Sequence, residues 1–254
     1  LLATAPLVSR RMTSSTDTDS DNANNDDGFD QDKFTELQKE TSSKIRQTDT
    51  EMDHLRHQQR VFDDLSAVFA SGDTVPAALV PVYQHICQNI MSTLQQQREL
   101  TQTKSPKKGE LDNDIYRILD VATGTGAFYE YFMAAADNAN ANANAESATA
   151  NKMSLHITGV DLAPRMVELA VKHAATVLSE HDGTGQHEIS VVQGDILQYS
   201  MDDDDSPLFD AIVANACFGN FWDQAAVLQH LTSLLRIGGS LFITHPLGSD
   251  FVKK

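Results

Sequence analysis

Five short apolar runs punctuate the second half of the chain: residues 116–122 (YRILDVA), 155–161 (LHITGVD), 188–195 (EISVVQGD), 209–216 (FDAIVANA) and 239–245 (GSLFITH). Each is rich in β-branched or other apolar side chains and bounded by turn residues, which predicts a buried strand. Between them the spacing changes to that of helices. Val167, Ala170, Val171, Ala174 and Leu178 share one helical face, and Ala226, Leu228, Leu231, Leu234 and Leu235 share another. Strands alternating with helices predict a mainly parallel sheet covered on both sides, and right-handed crossovers make it doubly wound.

The first half reads differently. Residues 17–30 (DTDSDNANNDDGFD) are polar and acidic, so a disordered tail is expected over 1–31. N-terminal cap helices are expected over 32–103. Ile45, Thr48, Met52, Leu55 and Phe62 give a weak heptad, read as a solvated helix leading into the domain. Val61, Phe62, Leu65, Val68 and Phe69 form an apolar stripe ending at Gly72, and Leu79, Tyr83, Ile86, Ile90 and Leu94 form a second after Pro76. Residues 104–114, beginning KSPKKG, read as a linker to a core over 115–254. Within that core, residues 137–152 (DNANANANAESATANK) alternate alanine and asparagine with no apolar face and are expected to be a low-complexity surface loop.

Composition narrows the partners. The formal net charge is -17, which repels a nucleic-acid backbone, and no basic cluster interleaved with aromatics offsets it. Cys87 and Cys217 are too few for a disulfide framework or a four-ligand zinc site. His54 and His57 lie three apart but beside Arg56 and Arg60, a poor setting for a cation, and Asp202 to Asp205 lack the spaced ligands and glycine of a calcium loop. No metal is expected. No apolar run reaches the ~20 residues of a membrane span. Residues 1–16 hold two arginines, several hydroxyl residues and no acid. That composition fits the end of an organelle transit peptide and equally an untethered tail in which Met12 is a start, so a cytoplasmic and an organellar location both stay open.

The candidate chemistry lies in RILDVATGTGAFYEYF, residues 117–132. In an open parallel sheet, ligands sit beyond the carboxyl ends of strands where the strand order reverses. Gly124 and Gly126 let the backbone turn tightly with a ligand against it. A nucleotide-hydrolase loop needs a lysine and a hydroxyl residue that do not follow here. A dinucleotide site needs a third glycine where this chain has Tyr129. What remains is an adenosine ligand without a phosphate, S-adenosylmethionine. Its ribose wants a carboxylate at the end of the second strand, where Asp161 stands, at roughly the usual ~20-residue interval once the alanine–asparagine insertion is set aside. Asp195 and Ile196 offer an acceptor and an apolar wall to an adenine. Asn215 follows the fourth strand, beside the place where a sulfonium methyl would sit. Asp120 as a helix cap and Asp195 as a plain turn aspartate remain the structural alternatives.

Together ILDVATGTG, ITGVDLAPRMVELA, VVQGDI, FDAIVANACFGNFWD and LLRIGGSLFITHPLG resemble the ordered motifs of the class I S-adenosylmethionine-dependent methyltransferases, over about residues 116–248. The resemblance implies a Rossmann-like core and transfer of a methyl group to an acceptor, expected to be a small molecule. It implies that Asp120, Gly124 and Gly126 cradle the amino-acid part of the cofactor. It also implies that Asp161, with Leu162 beside it, holds the ribose, and that Asp195 and Ile196 hold the adenine. Ala122 stands where many members have glycine, and Ile237 where PGG is usual.

The acceptor side is less specific. Asn215, Phe218 and His245 are the candidate catalytic residues, and Trp222 a candidate wall. Cys217 reads as a small buried residue. Members of the family close the sheet with two further strands, one antiparallel, and only PLGSDFVKK follows the fifth run here. The C-terminal strands are therefore expected to be missing, making the chain a fragment, or the fifth-strand edge to pair with another chain, which gives self-association as a partner expectation. Two further functions are weighed beside methyl transfer: a non-catalytic partner subunit that keeps the fold, and a nucleotide-dependent oxidoreductase. An aminopropyl transferase, which shares the fold, is a minor variant of the methyltransferase reading.

Overall fold

A computed structural model describes residues 50–69, 75, 77–102, 115–146, 153–181, 187–200 and 208–245. The expected tail over 1–31 and linker over 104–114 lie outside them, as do Ile45 and Thr48 of the weak heptad. Two helices come first, α1 (Glu51–Phe69) and α2 (Val80–Gln102). Then follow β1 (Ile115–Val121), α3 (Tyr129–Glu146), β2 (Ser154–Asp161), α4 (Pro164–Glu180) and β3 (Glu188–Gln193). The chain continues through β4 (Phe209–Asn215), α5 (Gln224–Leu234) and β5 (Leu235–Thr244).

All five expected strands form one sheet, ordered β3-β2-β1-β4-β5, and every neighbouring pair is parallel. The order reverses between β1 and β4, so their carboxyl ends flank the crevice where such sheets bind ligands. The strand interiors alternate between two cores. Ile118, Leu155, Ile157, Ala211 and Val213 face α2, α3 and α4. Leu119, Val160, Ile212 and Ala214 face α5, through Val227, Leu231 and Leu234. At the opposite end of the sheet Asp210 accepts from the Arg117 backbone (2.7 Å) and pairs with Arg236 (2.5 Å), tying β4 to β1 and β5.

Five expectations change here. The alanine–asparagine run is helical rather than a loop over residues 137–146, where α3 continues to Glu146, and the rest of the run lies outside the described residues. Alanine is the best helix former, and Asn140 is buried because its amide both donates to the Met153 carbonyl (3.2 Å) and accepts from the Met153 N–H (2.7 Å). The inward face of α4 is Met166, Ala170, Ala174 and Val177, while Val171 is half-exposed. On α1, Met52 of the weak heptad faces outward while His54 and Gln58 are buried, so this helix is not simply solvated. It packs through Leu65, Val61 and Phe62 on Ala163 and Met166, and the Arg165 N–H bonds Asp63 (3.0 Å). Finally, α2 is more than a cap: Ile86, Cys87, Ile90, Met91 and Leu94 join the main core. The fifth strand starts at Leu235, not Gly239, and pairs with β4 alone among the described strands. No described helix is long and apolar enough to cross a membrane.

Candidate active site

The turn after β1 is built by short polar side chains. Thr123 Oγ1 donates to the buried Asp120 carboxylate (2.6 Å) and lies 2.9 Å from the Tyr129 hydroxyl. The Thr123 N–H bonds the Val160 carbonyl (3.1 Å), fastening the turn to β2. Gly124 has φ +58, and a Cβ there would meet nothing, so this backbone is bare toward the cavity. Gly126, at φ +79, has another role: a Cβ there would run into the Tyr129 ring. Unlike the other expected cofactor residues, Gly126 does not line the cavity, and what requires glycine there is its packing against Tyr129.

Asp161, at the end of β2, is the joint between two turns. Its Oδ2 accepts from the Gly124 N–H (2.8 Å) and its Oδ1 from the Ala163 N–H (2.9 Å). The Leu162 N–H also bears on this carboxylate, whose roughly four acceptor sites still leave capacity for a further donor. After β3, the Asp195 carboxylate accepts from the Leu197 N–H (3.1 Å), capping a 3-10 turn over Ile196–Gln198. The turn-aspartate alternative thus describes its hydrogen bond, and the residue also lines the cavity. The helix-cap alternative for Asp120 does not hold, since its hydrogen bond goes to Thr123.

Past β4, Asn215 is fixed from both sides: it accepts from the Thr244 hydroxyl (2.9 Å) and donates to the Tyr83 hydroxyl (3.3 Å). Tyr83 comes from α2 and packs its ring 4.9 Å from that of Phe128. The buried Cys217 thiol donates to the Val121 carbonyl (3.4 Å), and burial pushes its pKa up, so it is a structural thiol. Ala122 (φ 54) and Ala216 (φ 55) both adopt the left-handed region, one after each strand of the crevice.

These elements enclose a cavity of about 260 Å³. Of the expected residues, Asp120, Ala122, Gly124, Asp161, Leu162, Asp195, Ile196 and Asn215 line it. Phe218 and His245 do not. Phe218 packs against the core cluster on the α5 side of the sheet and stands edge-on to Phe221 (5.9 Å), and His245 is half-buried beyond the end of β5. Trp222 does line the cavity, with its ring 5.5 Å from that of His54. Tyr83, Thr123, His54 and Gln58 are lining residues absent from the expectations. Their signal was available for α1: His54 and Gln58 continue the Val61, Phe62, Leu65 stripe at helical spacing.

Electrostatics single out two carboxyls. Burial raises Asp120 to about 7, against the lowering effect of the Thr123 hydrogen bond, and the neighbouring Asp161 raises it further. Burial also raises Asp161, while the Ala163 and Gly124 N–H groups hold it down. Glu51, Asp195 and Asp223 also line the cavity, and no lysine or arginine is among the described lining residues. Such a site disfavours a pyrophosphate and favours a ligand with positive charge. The bare Gly124 turn, an Asp120 with no lysine or arginine among the described lining residues, and the remaining acceptor capacity of Asp161 therefore fit S-adenosylmethionine. Among the described residues no group of three or more His, Cys, Asp or Glu is placed to hold a metal.

Residues 82–254 match the sequence model of a family described as a methyltransferase domain. The chain is 29% identical over 128 residues to malonyl-[acyl-carrier protein] O-methyltransferase of Paenibacillus sp. (strain JDR-2), covering 50% of this chain and 38% of that protein. Among solved structures it is similar to an arsenic(III) S-adenosylmethionine methyltransferase from Chlamydomonas reinhardtii, at 25% identity and a TM-score of 0.39, over 52% of this chain and 38% of that one. It is also similar to a methyltransferase from Thiobacillus denitrificans in complex with S-adenosylhomocysteine, at 19% identity and a TM-score of 0.34, over 52% and 42%. The match thus spans well under half the length of each of these proteins.

Proposed function

This chain belongs to the methyltransferase domain family, and on that premise we propose that it transfers a methyl group from S-adenosylmethionine to a small-molecule acceptor. The observation that carries the reading is the pair of buried carboxyls, Asp120 and Asp161, at the ends of adjacent parallel strands, lining one cavity with no lysine or arginine among its described lining residues. When bound, S-adenosylmethionine supplies an electrophilic methyl group, so the protein's work is alignment and exclusion of water. In this reading Asp161 uses its remaining lone pairs on the ribose hydroxyls. Asp120, held by Thr123, balances the cofactor's positive charge. Gly124 gives backbone approach, Asp195 and Ile196 bound the adenine, and Leu162 lies beside the ribose.

The oxidoreductase alternative loses ground on the Tyr129 ring, which fills the space beside Gly126 where a dinucleotide fold needs its third glycine. A non-catalytic subunit would bind cofactor without turnover. The test is equilibrium binding of S-adenosylmethionine and of NADH to this chain and to Asp161→Asn, with thermal melts as the folding control. S-adenosylmethionine should bind and NADH should not, and Asp161→Asn should weaken binding at least about tenfold, the scale of one lost charged hydrogen bond. Tight NADH binding, or unchanged affinity in a folded Asp161→Asn, would sink the reading.

A further inference from the structure

The acceptor half of the cavity is roofed by α1, and two buried polar atoms there have no partner among the described residues: His54 Nδ1 and Gln58 Nε2. Both residues are more than nine-tenths buried, at 1% and 6% exposure. They stand one helical turn apart on the same face of α1, and both residues line the cavity. An unsatisfied buried polar group costs about 1–3 kcal/mol, so two side by side in a cavity wall point to a ligand that completes them.

The hydrogen bond at the other ring nitrogen settles the chemistry. His54 Nε2 lies 2.7 Å from the Asn220 carbonyl oxygen, which can only accept. Nε2 therefore carries the hydrogen and donates. In the neutral ring Nδ1 is left with a bare lone pair, an acceptor of a proton rather than a donor. Gln58 Nε2, on the same face one turn further along α1, offers an N–H. Around them Leu55, Phe62, Leu79, Phe221 and Trp222 are apolar or aromatic, and no lysine or arginine lines the described cavity. An anionic acceptor would find no counter-charge, whereas a neutral hydroxyl on an aromatic body would find a base, a donor and apolar walls.

We propose that His54 and Gln58 form the acceptor subsite and that it takes a neutral phenolic hydroxyl, with His54 Nδ1 as the proton-accepting catalytic group. The proposal rests on the methyltransferase reading for the identity of the donor. A phenol, with a pKa near 10, lies within range of an imidazole base, and an aliphatic alcohol lies well beyond it. As the phenolic oxygen forms its bond to the methyl carbon, its proton passes to Nδ1. The electrons of the broken methyl–sulfur bond stay on sulfur as a neutral thioether. The resulting imidazolium keeps its Nε2–H on the Asn220 carbonyl and later loses the Nδ1 proton to water.

The test compares 4-propylphenol with its methyl ether, 4-propylanisole, by titration calorimetry on the full chain and on His54→Phe and Gln58→Leu. S-adenosylhomocysteine binding is measured on the same samples. Nitrogen NMR of His54 in the unaltered chain provides a second readout that needs no variant. The phenol should bind at least about tenfold tighter than the ether, a preference that one hydrogen bond to a buried acceptor supplies. His54→Phe should erase the preference while keeping affinity for the ether, and Gln58→Leu should reduce it. The spectrum should show Nε2 protonated, with the Nδ1 resonance moving on addition of phenol. Equal binding of the two probes, binding of neither, or an unmoved Nδ1 resonance overturns the proposal. If these fail while S-adenosylhomocysteine binds, only the acceptor assignment falls. If S-adenosylhomocysteine fails to bind a folded chain, the methyltransferase reading falls by itself.

Discussion

Asp120 shows how one buried side chain ties stability to binding. Its carboxyl is raised to about 7, chiefly by burial. In the free protein the folded state then holds a proton that the unfolded chain releases near its ordinary pKa. Its contribution is therefore most favourable in acid and falls away as pH rises from about 4 to about 7. A cationic ligand needs the ionised form, so binding has the opposite slope. S-adenosylmethionine affinity should weaken by up to about tenfold per pH unit below about 7 and level off above it, as calorimetry across pH would show. In Asp120→Asn that slope should vanish. Two alanines hold a different kind of stored energy. Ala122, at φ 54, stands in a region that costs a non-glycine residue about 1–2 kcal/mol, which gives a physical reason for the glycine common there in the family. Ala122→Gly should raise stability by about 1 kcal/mol in denaturant unfolding, and a loss would show that the methyl group packs favourably. Asp161 was readable in the sequence because a carboxylate ending a second strand has few other uses. Thr123 was not, because a threonine in a glycine turn looks the same whether or not it holds a buried acid.

At the scale of elements, the sequence read the sheet well and the helices unevenly. β1, β2 and β4 were legible because parallel strands buried on both faces appear as short apolar runs, and the edge strands β3 and β5 because their β-branched residues lie between turn signals. The later part of α3 was missed because its alanines and asparagines show no apolar face, and helix propensity together with one bidentate amide take the place of that face. Asn140→Leu should therefore destabilise by about 1–3 kcal/mol, the cost of leaving the Met153 backbone groups buried and unpaired, and a neutral result in chemical denaturation would refute that role. On α1 the apolar stripe was legible from Val61 onward, yet its continuation through Gln58 and His54 is polar. A polar residue on a helix reads as solvent-facing until a cavity is known to lie opposite. The candidates Phe218 and His245 do not line the cavity, because a position near the end of a strand does not by itself say which way a side chain turns.

In the whole molecule, the crevice at the strand-order reversal is closed over by α1 and the start of α2, so cofactor and acceptor residues share one cavity although the sequence separates them widely. The chain contains one tryptophan, Trp222, and it lines that cavity beside His54. Filling the cavity should change its emission in proportion to occupancy, and Trp222→Phe should leave a chain whose fluorescence is silent to ligand; an unresponsive Trp222 in a chain that binds by calorimetry would place the ligand elsewhere. The arrangement as a whole stands or falls on where the cofactor sits, and a crystal structure with S-adenosylhomocysteine tests that most directly. The account predicts ribose hydroxyls on the Asp161 carboxylate, the amino-acid end against Asp120 and Gly124, and adenine beside Asp195 and Ile196. A cavity left empty at saturating ligand, or a ribose bound away from Asp161, would contradict it.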